Sequence, residues 1–135
     1  MRVALGSDEH TPLVDAVAGC LAELGHEVAV VSDGELWPDV GRQVGEAVAS
    51  GGADRGVVCC WTGTGVSMAA NKVPGVRAAL CTDAETARGA RRWNDANVLA
   101  LGLRLTSPEV AREMLAAFLS TPPDPAEAAT LARLG

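Results

Sequence analysis

Five short apolar runs recur along this chain, each pair separated by a stretch long enough for a helix. They are "RVALG" (2–6), "EVAVV" (27–31), "GVVCC" (56–60), "VRAALC" (76–81) and "NVLALG" (97–102). Runs that are apolar almost throughout, without strict alternation, fit strands buried on both faces. Strands that alternate with helices fit a parallel sheet joined by right-handed crossovers. The expected fold class is therefore α/β, a three-layer α/β/α sandwich around a five-stranded parallel sheet.

The segments between the runs carry helix signals. Thr11-Pro12 offers a cap and a first-turn proline, Leu13, Val17, Cys20, Leu21 and Leu24 follow at helical spacing, and Gly25 ends the run. Val40, Val44 and Val48 predict a helix over about 39–49, closed by Gly51-Gly52. Further helices are expected through "GVSMAANK", over 83–92, and from Ser107-Pro108-Glu109 to Leu119. After "TPPDP", Asp124, Pro125 and Glu127 start a last helix that runs to Arg133. Residues 1–120 thus form the domain, and residues 121–135 a helical tail.

Charge narrows the function. With 17 acidic against 11 basic residues and a formal charge of −6, no basic stripe is available for nucleic acid or an anionic membrane surface. Arg88/Arg91/Arg92 and Arg104 remain as small-anion contacts. No apolar run approaches the roughly 20 residues of a membrane span, and the N-terminus reads as a strand, so a cytoplasmic protein is expected. The four cysteines lack metal-ligand spacing to the two histidines and read as free thiols, with no metal site.

Ligands of parallel sheets collect at the carboxyl ends of the strands. There this chain offers "SDEH", "CWTGTG", "CTD" and "GLR". Asp8 fits a substrate ligand or a turn-forming cap, while Glu9 and His10 fit solvated loop positions. Cys59 and Cys60 must face opposite sides of the sheet. Cys60, at the strand exit, precedes the amides of a tight turn and a helix N-terminus, a setting that favours a thiolate. Its other reading is a small buried apolar residue. The "TGTG" turn either admits a ligand to the backbone or is structural.

The stretch "DRGVVCCWTGTGVSMAANKVPGVRAALCTDAETAR…WNDANVLALGLR", with "GSD" at 6–8 and "WPDVG" at 37–41, closely resembles the ribose-5-phosphate isomerase B and galactose-6-phosphate isomerase family over roughly residues 1–120. The resemblance implies a Rossmann-like sheet and a cofactor-free aldose–ketose isomerase acting on a sugar or sugar phosphate through a cis-enediolate. It also implies a homodimer, or a tetramer built from it, with active sites between subunits. Carried over, Cys60 is the base, and backbone amides from Trp61 through Thr62, Gly63 and Thr64 to Gly65 hold the enediolate oxygen. Thr62 and Ser67 stand nearby, Asp8 binds substrate hydroxyls, and Asn94 and Arg104 come from the partner subunit. The chemistry is coherent, because a carbon acid needs a close base and its oxyanion needs fixed donors.

The sequence departs from the family pattern at several of these positions. The family's glycine after the cysteine is Trp61, its ring-opening histidine is Trp93, and its phosphate-contacting histidine is Glu9, with His10 one place later. The arginine-rich C-terminal stretch that clamps phosphate is missing. Trp61 and Trp93 are expected to narrow the pocket, and Trp37 to pack. Ribose 5-phosphate is accordingly expected to be a poor substrate, and the preferred ligand unphosphorylated or an acyclic short-chain sugar. The alternative is a non-catalytic sugar-binding or regulatory homologue.

Overall fold

The computed structural model describes residues 1–135. Its strands β1 (Arg2–Ser7), β2 (Glu27–Asp33), β3 (Arg55–Cys60), β4 (Ala78–Leu80) and β5 (Val98–Gly102) form one parallel sheet in the order β2-β1-β3-β5-β4. They are connected by α1 (Pro12–Glu23), α2 (Trp37–Ala49), α3 (Thr64–Asn71) and α4 (Ala84–Asn94), and α5 (Pro108–Ser120) follows β5. Strand order decides which face each helix covers. Connections α2 and α3 carry the chain one way across the sheet and α1 and α4 the other, so right-handed crossovers put the two pairs on opposite faces.

The packing follows. Leu13, Val17, Leu21, Met114, Leu115 and Phe118 pack with Val3, Leu5, Val57 and Leu99 on one face. Val40, Val44, Val66 and Ala70 pack with Ala4, Val58, Val98 and Ala100 on the other. Each large apolar side chain buried in this way contributes about 1.5–3 kcal/mol. The expected α/β/α sandwich is therefore the observed fold. At one point the helices meet backbone to backbone: a Cβ on Gly41 of α2 would lie 2.5 Å from Ala69 Cβ and 2.8 Å from Ala70 N and Val66 O of α3.

Several details differ from the sequence expectation. β2 is an edge strand and continues to Asp33 beyond an irregularity opposite Leu5/Gly6, leaving Val30 61% exposed, so it is not covered like the inner strands. β4 is only three residues long because Val76 is drawn into a turn on the carbonyl of Val73. The tail is a 3-10 turn, Pro125–Glu127, followed by the short α6, Ala128–Leu131. Asp124 caps it as expected, accepting from Ala126 N–H, but no residue of either piece is buried, and the α-helix stops at Leu131, with a turn bond from Arg133 N–H to Thr130 O beyond it. Arg91 is not a surface anion contact: it is 2% exposed and fully engaged inside the protein. Arg88 is paired with Glu85 at 2.7 Å.

Candidate active site

Strand β3 exits to α3 on one face, whereas its neighbours β1 and β5 exit to α1 and α5 on the other. Chains leaving in opposite directions open a crevice over the end of β3, where such sheets place ligands. Cys60 is the last residue of that strand. Its side chain belongs to the α2/α3 layer and is 5% exposed, while Cys59 faces the other layer and is fully buried. Burial pushes the Cys59 thiol up to about 12 and the Cys81 thiol to about 11. Cys59 is thus the packing thiol of the pair.

The turn after Cys60 is pressed onto β5. Leu103 N–H donates to Cys60 O at 2.8 Å, and Arg104 N–H to Trp61 O at 2.9 Å. Gly63, the cap of α3, has φ +77, and a Cβ there would fall 2.8 Å from Leu101 C and 2.9 Å from Gly102 N. The amides of Trp61, Thr62 and Gly63 donate to no backbone or side-chain acceptor within the chain. Three free N–H donors thus follow the thiol directly, at the positive end of a helix. The Thr62 and Thr64 hydroxyls are bonded to each other at 2.7 Å, and Ser67 sits in the first turn of α3 with its N–H on Gly63 O. Trp37 packs on that turn: a Cβ on Gly65 would lie 2.8 Å from its indole Cδ2.

Asp8 stands at the same end of the sheet, its N–H donating to Cys59 O at 3.3 Å. Its Oδ1 is buried without a hydrogen-bond partner. Burial, and then the charge of Glu9, pushes its carboxyl above the ordinary carboxylate range. A raised folded-state value means that the folded chain holds the proton more tightly than the unfolded one. Stability is therefore greatest below the ordinary carboxylate pKa and falls as pH rises through the folded value. Asp8→Asn is expected to raise the thermal midpoint at pH 7 by about 2–4 °C. Melting curves at pH 4 and pH 7 check it, since the gain should shrink in acid.

The loop after Asp8 is pinned by the buried Ser7, whose hydroxyl donates to Glu9 O at 2.6 Å. Sequence reasoning passed over Ser7, although a serine closing an otherwise apolar strand was the available signal. Glu9 is exposed. His10, one place past the family's phosphate-contacting position, is held by two carboxylates. Its ring nitrogens meet Asp15 of α1 at 2.8 Å and Asp33 of β2 at 3.4 Å, and the Asp15 bond raises its pKa. Those two carboxylates draw the ring toward β2, on the side of β1 away from β3.

The end of α4, which carries Asn94, is also apart from Cys60. Helix α4 runs antiparallel to the strands, so it begins at their carboxyl ends and delivers Asn94 to their amino ends. There Asn97 O accepts from Gly56 N–H near the start of β3. Cys60 is four residues further along that strand, roughly 13 Å away. The Trp93 ring lies back along α4 over Gly89, where a Cβ would fall 2.6 Å from Cζ3. Trp61 and Trp93 are 53% and 55% exposed. One chain therefore gathers Asp8, Cys60, the 61–65 turn and the backbone of Arg104 at one end and carries the α4 backbone at Asn94 toward the other, with the Trp93 ring turned back along α4 into a cavity shared with Leu80 and Cys81. No three His, Cys, Asp or Glu side chains are grouped to hold a metal ion, and no helix is long and apolar enough to cross a membrane.

Residues 3–133 match the family model described as Ribose/Galactose Isomerase. The chain is 36% identical to the D-erythrulose-4-phosphate isomerase of Pectobacterium atrosepticum over 88% of its own length and 82% of that protein. It is 43% identical to the ribose-5-phosphate isomerase B of Escherichia coli over 87% of its length and 83% of that protein. The structure of Clostridium thermocellum ribose-5-phosphate isomerase B superposes with a TM-score of 0.91 at 39% identity, covering 100% of this chain and 95% of that one.

Proposed function

The chain belongs to the ribose/galactose isomerase family of aldose–ketose sugar phosphate isomerases, and from that premise we propose that Cys60 is the base that moves a proton between C1 and C2. The thiolate takes the C2 proton, the C1 carbonyl electrons move onto O1, and a cis-enediolate forms. The Cys60 proton then returns to C1 and the O2 hydroxyl proton passes to O1, giving the ketose with no net change in atoms or electrons. The observation that carries this reading is the set of three undonated amides of Trp61, Thr62 and Gly63 directly after the thiol. They are donors fixed before charge develops on oxygen, the arrangement that stabilises an oxyanion most. The orphaned Asp8 Oδ1 accepts from a substrate hydroxyl, which resolves its buried and unpartnered state.

A second copy of the chain supplies Trp93 and Asn94. This is supported by the end of α4, at Asn94, lying toward the opposite end of the sheet from Cys60 in its own subunit. Arg104 is assigned differently from the sequence expectation: with its backbone bonded to Trp61, it serves the pocket of its own chain as the cation for a phosphate.

The substrate we assign is an acyclic four-carbon sugar phosphate. An indole N–H can donate but cannot exchange protons as an acid–base group, so Trp93 gives no help to ring opening. A tetrose esterified at O4 lacks the hydroxyl needed to close a furanose and requires no such help. The D-erythrulose-4-phosphate isomerase among the relatives fits this class. The test is turnover of erythrose 4-phosphate and ribose 5-phosphate in deuterated water, with C–H exchange followed by NMR. The tetrose is expected to be preferred by at least about tenfold in kcat/KM. Turnover of ribose 5-phosphate at about 10⁴ M⁻¹s⁻¹ or more, the ordinary enzyme range, overturns the substrate assignment. Absence of exchange from every sugar phosphate overturns catalysis and leaves a sugar-binding homologue.

A further inference from the structure

The geometry points to Asp95 as a positioning residue that holds the end of α4, and with it Trp93 and Asn94, in the pose presented to the partner's pocket, without itself touching substrate. This rests on the two-subunit site described above. Asp95 caps α4 and is the one non-glycine residue with a positive φ, at φ 46 and ψ 44. Such a backbone persists where its surroundings over-determine it. Here four bonds do so. The carboxylate accepts from Arg91 Nη1 at 2.8 Å and from Arg77 Nη2 at 3.3 Å, the carbonyl accepts from Arg77 Nε at 2.7 Å, and the N–H donates to Arg91 O at 3.1 Å.

Arg91 is the buried half of this arrangement. Beyond Asp95, its guanidinium donates to Ala96 O at 2.6 Å and Thr121 O at 3.1 Å, and it lies 5.8 Å from the centre of the Phe118 ring. The network therefore ties the entry to β4, the end of α4, the entry to β5 and the end of α5 to one carboxylate. By contrast, the Asn94 amide and the Trp93 indole N–H make no hydrogen bond within the chain. Their pose is set by the backbone that Asp95 anchors, which makes this carboxylate the control point for both.

The test is trans-complementation. Asp95→Asn keeps the shape of the residue and its tolerance of left-handed backbone. Arg77→Met removes two bonds to Asp95 from a partly exposed site and serves as the variant safest for folding. Each is expected to lower kcat/KM at least tenfold, with the dimer mass and circular dichroism of Arg77→Met unchanged. Each variant is then co-expressed with Cys60→Ala under a different tag, and mixed dimers are purified on both tags. One pocket of such a dimer combines an intact Cys60 with an intact α4 end, so about half of wild-type activity is expected to return. A generally damaged subunit would also spoil its own Cys60 half and restore nothing. Mixed dimers no more active than their parents, or near-wild-type kcat/KM in Asp95→Asn, overturn the positioning role. The mixed dimer of Cys60→Ala with Asn94→Ala separates the two layers of inference. If it regains activity and the Asp95 pair does not, only the positioning role fails; if it also stays inactive, the two-subunit site fails and the positioning role with it.

Discussion

Cys60→Ala is expected to lower kcat by about 10³-fold or more while the melting curve stays close to wild type. A positioned general base contributes about 10²–10⁴-fold, and no other thiol can take its place: Cys59 lies on the opposite face of the sheet, with its thiol pushed up to about 12. The side chain is small and sits at the strand exit, so its truncation removes little packing. Deuterium exchange at the substrate carbon should vanish together with product formation. Limited iodoacetamide treatment of the wild type, mapped by mass spectrometry, should label Cys60 before Cys59, Cys20 or Cys81, whose thiols burial pushes up. Full activity in Cys60→Ala would remove the base assignment.

Gly63→Ala is expected to damage folding and catalysis together. An L residue at φ +77 is strained by roughly 1 kcal/mol, and crowding in a packed region adds about 1–3 kcal/mol. The new methyl carbon would meet Leu101 C at 2.8 Å and Gly102 N at 2.9 Å, which are backbone atoms of the sheet and cannot swing aside. The turn must therefore lift away from β5, taking the amides of Trp61 and Thr62 with it. A fall in thermal midpoint of about 10 °C and a loss of about 10²-fold in kcat/KM are expected. Gly51→Ala is the control, since Gly51 has φ +82 but open space around its Cβ position. It should show the strain alone, with activity retained. An unchanged kcat/KM in Gly63→Ala would show that the turn does not hold the reacting oxygen.

Much of this was legible in the chain itself, because strand and helix periodicity, proline starts and glycine stops are local signals. "GVVCC" followed by "TGTG" located the crevice, since topology sends the end of an inner strand to the ligand end of the sheet. The adjacent cysteines were separable by strand alternation alone. What was not legible depended on contacts between distant segments. His10 read as a solvated loop residue, but Asp33, from another strand, combines with Asp15 to hold its ring. Arg91 read as a surface cation because nothing local reveals that Thr121 and Phe118 of the distant α5 end close over it. The full extent of β4 could not be read from "VRAALC", because an edge strand ends where its single neighbour and the adjoining turn compete for its amides.

The backbone contact at Gly41 has a kinetic consequence. With α2 seated directly on Ala69, Ala70 and Val66, α3 cannot slide or tilt without driving atoms of α2 into it. The N–H groups at the start of α3 are therefore arranged once, when the chain folds, and need not be gathered again for each substrate molecule. On the proposed route through an enediolate little disorder is then surrendered, so the activation entropy of the proton-transfer step should lie near zero and its barrier should be almost wholly enthalpic.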